Sequence, residues 1–417
     1  MSPGEPIGSL ADPDRHLVAL TGLRGVAAAW VVLFHSSVAI ETWLPRTTAV
    51  HAVTSMGYLG VDLFFALSGF VLCHRYLDGM GPRLRAGLVR DFVLLRLARL
   101  YPVHLAVTAL FGLYVALLAS TGSDRQWDPL FGAGDLLQHL TLVQAWLNQP
   151  LTWNVPSWSV SLEWLAYLAF PAAVVIVKRI ADSPHPVRGA LLLLAFAHAP
   201  LTAQAVGAIR LPMVSFIGNQ GPSGAMGVNL LRLVAGFGGG CAAFVLARTW
   251  QEGRPHSSRR PPAWLSGAAY SLTVVTVIYG GVHGYTEQTD AGWLVSPLLV
   301  LSVALIGLAG PLTTWLESPV MVHAGLMSYS LYMTHWLTLS VLGLVPGVRI
   351  EAGVAHRLGI AAAGPFARAG FSAATLVACF AAAHVCWRLV EEPARRALRA
   401  RLMGGAAAVP IEERPNG

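Results

Sequence analysis

The chain has 417 residues, of which 55% are hydrophobic and only 12% are charged, and its mean hydropathy is +0.58. This composition is too apolar for a soluble domain and indicates an integral membrane protein. The net charge of +7 comes almost wholly from arginine, because Lys178 is the only lysine. Arginine facing a cytoplasmic leaflet accounts for this charge, so a lipid bilayer is the predicted partner and no nucleic acid is.

Ten stretches are long enough to cross a bilayer, which takes about 20 residues. They cover residues 18–40, 57–77, 101–119, 156–177, 189–207, 226–247, 264–283, 291–310, 323–345 and 369–390. The pattern predicts an all-α integral membrane protein, with about ten transmembrane helices of one domain (1–400) around a central polar cavity. The tail, 401–417, is rich in Ala, Gly, Pro and Glu and is predicted to be disordered.

Most of the 28 basic residues fall in connections on the side of the N-terminus. The positive-inside rule therefore predicts that both termini are cytoplasmic. The Ala, Gly and Arg bias is typical of a high-GC bacterium, so the predicted location is a bacterial inner membrane. In the longest outer connection, 120–154, the pattern of residues 135–143 predicts a short amphipathic helix that lies along the interface and covers a cavity.

Ionisable residues inside the spans cost several kcal/mol and are usually functional. In the first span, Arg24 and His35 are eleven residues apart. Eleven helical residues turn by about 1100° and rise ~16 Å, so the two side chains share one face. The alternative is a snorkelling arginine and a core histidine bonded to a carbonyl group.

The second and third segments add further polar residues. Asp62 is predicted just inside the outer boundary and Ser68 at mid-depth, where helix packing is a better explanation of the serine than a nucleophile. Arg96 and Arg99 are three residues apart, hence on one helical face at the inner boundary. Paired guanidinium groups suit a phosphate-rich ligand, and positive-inside anchoring is the alternative.

Glu163 in the fourth span needs a partner within the membrane, and His35 and Arg24 are the available candidates. A structural ion pair is the alternative. In the ninth span, Tyr332 and His335 are predicted to line the same cavity, although His335 also fits a buried hydrogen-bonding role. No metal site is predicted. At the end of the tenth span, a helix-ending proline and acid-base pairing explain most of the pattern.

Six motifs together resemble the membrane-bound acyltransferase 3 family, in the same order and over nearly the whole chain. They are Leu-Thr-Gly-Leu-Arg-Gly with His35, Gly-Val-Asp-Leu-Phe-Phe-Ala-Leu-Ser-Gly-Phe (60–70), Arg-Leu-Ala-Arg-Leu-Tyr-Pro (96–102), Trp-Ser-Val-Ser-Leu-Glu (158–163), Ser-Tyr-Ser-Leu-Tyr-Met-Thr-His (328–335) and Glu-Glu-Pro (391–393). The chain departs from the pattern at Thr21, where the family often has an acidic residue. It also lacks a fused esterase-like domain, which disfavours peptidoglycan as the acceptor.

The resemblance implies an O-acyltransferase that moves an acyl group, commonly acetyl, from acyl-CoA to a hydroxyl group. The acceptors of the family include cell-surface polysaccharides, lipid-linked sugars and macrolides. Its functional signatures match Arg24, His35, Arg96 and Arg99 here. Acyl-CoA is a co-substrate, and no permanently bound cofactor is implied. A proton-coupled transporter is the rival function, because such carriers also bury His, Glu and Asp side chains.

The expected mechanism places the phosphates of coenzyme A on Arg96, Arg99 and Arg24, with the pantetheine arm directed along the first helix towards His35. A neutral imidazole can act as the general base for the acceptor hydroxyl. Glu163 is expected to orient that imidazole, as buried carboxylates do in catalytic triads. A covalent acyl-histidine is an open alternative to direct transfer.

Overall fold

The computed structural model of the protein describes ten stretches of the chain. They are residues 13–37, 49–81, 84–120, 132–146, 153–206, 225–252, 263–283, 292–305, 311–344 and 353–403. Helices make up most of these stretches, and no β-strand occurs within them. Residues 401–403 of the predicted disordered tail are helical, which corrects the prediction there. Residues 404–417 and the arginines Arg46, Arg125, Arg210 and Arg349 lie outside the described residues.

Within these ten stretches, eight helices are long and apolar enough to cross a membrane. They cover Leu17–His35, Leu59–Met80, Ala86–Ser120, Val155–Ala181, Pro186–Gln204, Val228–Glu252, Trp264–Val282 and Pro365–Leu398. The prediction of an all-α, multi-pass membrane protein is thus confirmed. The other two predicted spans contain described helices of 14 and 15 residues, so the count of ten stays a prediction.

Sixteen α-helices are used below and are numbered here in chain order. They are α1 (Pro13–His35), α2 (Ala49–Ser55), α3 (Leu59–Met80), α4 (Ala86–Ser120), α5 (Ala133–Leu140), α6 (Trp158–Ala181), α7 (Pro186–Ala205), α8 (Ala225–Glu252), α9 (Ala263–Val282), α10 (Gly292–Leu305), α11 (Pro311–Leu316), α12 (Pro319–Leu326), α13 (Ser328–Leu342), α14 (Val354–Arg357), α15 (Pro365–Cys386) and α16 (Glu392–Met403). A π-helical turn, Trp387–Glu391, joins α15 to α16.

Several helix boundaries differ from those predicted, and Pro393 does not end the last helix, which continues through the π-helical turn to Met403. Two of the differences are large. Helix α4 begins at Ala86 rather than near residue 101 and has 35 residues, so Arg96 and Arg99 lie well inside it. At 1.5 Å per residue it is about 52 Å long, far more than the ~30 Å hydrocarbon core of a bilayer. The ninth predicted span is interrupted at Met327, where α12 ends and α13 begins. Apolar periodicity alone shows neither feature.

Small residues bring the helices around the centre into close contact. On α3, Gly69 packs against the backbone of Phe237, and on α8, Gly240 packs against the backbone of Ala66. On α1, Gly25 meets the backbone of α12 at Gly325. Helices α3, α6 and α13 also pack against one another or against α1. These contacts hold together the helices that carry the predicted site.

Candidate active site

A small cavity lies between α1, α3, α6 and α13. Of the predicted residues, Arg24, Ser68, Glu163 and Tyr332 line it. The remaining lining residues are Val61, Phe64, Phe65, Leu67, Ser159, Val160 and Tyr329. The cavity therefore combines one guanidinium group, one carboxylate and several hydroxyl groups with an apolar wall.

The Glu163 carboxylate is held by two hydroxyl groups. Ser68 Oγ donates a hydrogen bond to Glu163 Oε1 over 2.7 Å, and Tyr167 OH, one turn further along α6, donates to the same oxygen over 2.5 Å. No hydrogen bond joins Glu163 to His35. The predicted pairing of these two residues is corrected here, because hydroxyl groups of α3 and α6 satisfy the carboxylate instead.

The guanidinium groups of Arg24 and Arg99 approach each other from α1 and α4, closely enough to interact electrostatically. Both also interact with the carboxylates of Glu163 and Glu391 and with the Tyr167 phenol. Neither guanidinium donates a hydrogen bond to any described residue, and Arg24 Nε is buried without a partner. Buried donors of this kind normally have partners, so both groups have free capacity to bind an anion.

Arg96 is placed differently from Arg99, although both lie on α4. Its Nη2 donates a hydrogen bond to Tyr76 OH over 3.2 Å, and its guanidinium lies over the rings of Tyr76, Phe92 and Tyr167 at 5.7 to 5.9 Å. Arg96 Nε is also buried and unpaired. Stacking fixes the orientation of the guanidinium group while leaving some of its N–H donors available.

His35 lies at the end of α1, and its partner is a second imidazole. His335 Nε2 lies 3.1 Å from His35 Nδ1, and the His35 ring also contacts Trp336 edge-on. Neither histidine is among the residues that line the cavity, which corrects the prediction for His335. The His335 ring does contact the ring of Tyr332, with centroids 5.8 Å apart. One aromatic residue therefore links the cavity wall to the histidine pair.

Asp62 also does not line the cavity, contrary to the prediction. Its two carboxylate oxygens accept hydrogen bonds from Arg232 Nη2 and Nε of α8, at 2.6 and 3.1 Å. The side chains of Asp62 and Arg232 are only 1% and 4% exposed. Arg232 also lies over the rings of Tyr58 and Trp158. This is a structural ion pair, and its arginine lies within the predicted span 226–247.

Glu391 is the functional candidate that sequence reasoning missed. It accepts a hydrogen bond from Ser330 Oγ over 2.6 Å and is 6% exposed. Pro393 lacks an N–H group, so it cannot close the α-helical bond to the carbonyl of Leu389. The chain forms a π-helical turn there, and the Glu392 N–H bonds to the Trp387 carbonyl. The Glu-Glu-Pro motif was the available signal, because π-helical turns often occur at functional sites.

The fold and this cluster of charges define a multi-pass membrane protein with a polar cavity inside it. A family profile described as "Acyltransferase domain" (acyltransferase 3) matches residues 17–384. The chain belongs to this family and is a membrane acyltransferase. The resemblance seen in the six motifs is thereby confirmed.

Three curated relatives illustrate the range of similarity. The acyltransferase MdmB of Streptomyces mycarofaciens is 29% identical over 405 residues, which cover 92% of this chain and 93% of MdmB. BcsY of Komagataeibacter xylinus, provisionally named a membrane-bound transacylase, is 26% identical over 76% of this chain and 71% of its own length. A protein of Staphylococcus aureus strain COL, provisionally named an O-acetyltransferase, is 22% identical over 78% of this chain and 51% of its own length. No solved structure matches the chain.

Proposed function

We propose that the protein transfers an acyl group, most simply acetyl, from acyl-CoA to a hydroxyl group of a sugar-containing or macrolide-type acceptor. One observation carries this proposal: Arg24 and Arg99 lie together beside the cavity without hydrogen-bond partners among the described residues. Two like charges held this close inside a membrane protein are costly unless an anion joins them. Phosphate suits the site, because guanidinium groups can each donate two hydrogen bonds to its oxygens.

The charge balance of the cluster supports the binding of an anion. Arg24, Arg96 and Arg99 contribute three positive charges, whereas Glu163 and Glu391 contribute two negative charges. These five side chains therefore have an excess of positive charge. Positive-inside anchoring does not explain this arrangement, because the paired guanidinium groups of Arg24 and Arg99 face protein charges.

The distance along α1 fits the length of the proposed donor. From Arg24, the helix rises ~16 Å to His35 on the same face, which is of the order of an extended pantetheine arm. The cavity begins at Arg24 and includes Tyr332, whose ring contacts His335. A donor whose phosphates bind the arginines would thus bring its thioester towards the histidine pair.

The proposed reaction uses His35 as a general base. The acceptor oxygen attacks the thioester carbonyl carbon while its proton moves to His35, so that a C–O bond forms and the C–S bond breaks. The coenzyme A thiolate leaves and takes the proton from the imidazolium. Glu163 is proposed to act through the hydroxyl groups of Ser68 and Tyr167, which it orients beside the cavity.

The test compares two donors. Acetyl-CoA carries the phosphates, and S-acetylpantetheine has the same thioester without them. Arg99→Gln is expected to raise the KM for acetyl-CoA by about 10- to 100-fold, because a charge-assisted hydrogen bond contributes about 1.5–3 kcal/mol. Its KM for S-acetylpantetheine is expected to stay within twofold of the wild-type value. Release of coenzyme A is measured with a thiol reagent in the presence of candidate sugar acceptors.

Arg90→Gln is the matched control on the same helix, since Arg90 is exposed and pairs only with Asp91. It should leave both KM values unchanged. An equal loss with both donors in Arg99→Gln would contradict phosphate binding at this site. Coenzyme A release that does not depend on any acceptor would contradict transfer.

We also propose a bacterial inner membrane as the location, with both termini in the cytoplasm. The distribution of basic residues supports this orientation. Fusions of a reporter that is active only outside the cytoplasm should be inactive at both termini and active when inserted between residues 120 and 131. Activity at either terminus would contradict the orientation.

A further inference from the structure

The two imidazole rings of His35 and His335 form a hydrogen-bonded pair with a defined geometry. His335 Nε2 lies 3.1 Å from His35 Nδ1. Each ring also directs its Nδ1 at the carbonyl one turn earlier in its own helix, His35 at Val31 over 3.1 Å and His335 at Leu331 over 3.2 Å. His335 is fully buried. The pair thus has three short contacts whose donors and acceptors must be mutually consistent.

Only one assignment of the hydrogens satisfies all three contacts. A carbonyl oxygen can only accept, so both Nδ1 atoms carry a hydrogen. A neutral imidazole has one N–H, so His335 Nε2 has a lone pair and accepts from His35 Nδ1, which is shared with the Val31 carbonyl. If the two Nε2 atoms carried the hydrogens instead, the lone pair of each Nδ1 would face a carbonyl oxygen and repel it.

From this geometry we infer that His335 is the positioning residue of the proposed base: it holds His35 in the tautomer that leaves Nε2 free to take the acceptor proton. This inference rests on the proposed function, since it concerns how His35 works in that reaction. It gives His335 the orienting role that sequence reasoning had given to Glu163. Glu163 has its own hydroxyl partners and does not contact His35.

His335 also stabilises the charge that forms during the proposed step. When the acceptor proton reaches His35 Nε2, the ring becomes an imidazolium and its Nδ1–H still donates to His335 Nε2. That hydrogen bond becomes charge-assisted and therefore stronger than in the resting state. His335 keeps its own proton on Nδ1, so no second proton transfer is needed.

The experiment compares two substitutions of His335 in the full-length protein. His335→Leu removes the acceptor, and it should lower kcat by about 10- to 100-fold while the KM for acetyl-CoA stays within twofold. His335→Gln keeps an acceptor oxygen near the position of Nε2, and it should retain kcat within about threefold of wild type. His104→Leu is the control, because His104 is equally buried and bonds a carbonyl oxygen of α5. It should not lower kcat.

Three results would overturn the inference. They are wild-type kcat in His335→Leu, an equal loss of kcat in His335→Leu and His335→Gln, and a loss expressed only in KM. If neither variant folds, ¹⁵N NMR of histidine-labelled wild-type protein decides: a hydrogen on His35 Nδ1 supports the inference, and one on Nε2 overturns it. Substitution His35→Gln separates the two proposals, because turnover retained there contradicts the proposed function itself.

Discussion

Replacing Asp62 by asparagine is expected to lower the free energy of unfolding by about 3–5 kcal/mol. The change leaves the Arg232 guanidinium charged and buried without its counterion, and breaking a buried pair from one side has a cost of this size. The large cost in free energy is expected here because the side chains of Asp62 and Arg232 are almost completely buried and two hydrogen bonds join them. Asp91→Asn breaks the exposed pair with Arg90 and should cost about 0–1 kcal/mol.

The assay is reversible unfolding in mixed detergent micelles, with tryptophan fluorescence as the signal. A second variant, Asp62→Asn with Arg232→Met, removes both charges and should recover most of the lost stability. Acyl transfer should persist in this double variant, since the pair lies outside the cavity lining. Wild-type stability in Asp62→Asn, or a double variant no more stable than the single one, would refute the reasoning.

Three further predictions concern packing and polar contacts. Gly240→Ala should destabilise the protein by several kcal/mol in the same unfolding assay, because the new Cβ would meet the Ala66 carbonyl of α3. Gly267 has open space around it, so Gly267→Ala should stabilise α9 by about 0.5–1 kcal/mol. Ser330→Ala should cost about 1–3 kcal/mol because Glu391 loses its donor, and Ser340→Ala should cost less, since Ser340 only donates to a carbonyl of its own helix. Raising the salt concentration should raise the KM for acetyl-CoA, because salt screens the attraction between phosphate and guanidinium groups, and should leave the KM for S-acetylpantetheine unchanged. Initial-rate measurements at several ionic strengths test this. Equal stability of the two glycine variants, equal stability of the two serine variants, or equal salt dependence of the two donors would contradict the respective prediction.

The sequence predicted the fold class because membrane helices follow from composition and length alone. Hydropathy also located the helices that carry Arg24, Ser68 and Glu163. It could not show that α4 starts at Ala86, since the added turns carry three arginines and one aspartate and so resemble a cytoplasmic connection. Nor could it show the interruption at Met327, because both sides of it are apolar. Local hydrogen bonding, which hydropathy does not measure, decides such boundaries.

Four of the predicted site residues line one cavity, but Glu163 bonds to hydroxyl groups rather than to His35. Glu163 and His35 were predicted at similar depths in the membrane. The rotation of each helix about its axis, however, decides which side chains meet. That rotation is set by glycine contacts such as Gly25 against Gly325, which depend on the partner helix. The same limit applies to Asp62, whose partner Arg232 lies 170 residues away in the chain.

The π-helical turn that ends at Glu391 sets the rotation of α16 relative to α15. Its extra residue rotates everything that follows by about 100° relative to an uninterrupted α-helix. Within the turn, Leu389 is 69% exposed on the surface of the helix bundle, whereas Glu391 is buried. Deleting a single residue between Trp387 and Val390 would rotate α16 by about 100° relative to α15 and move the Glu391 carboxylate away from Ser330.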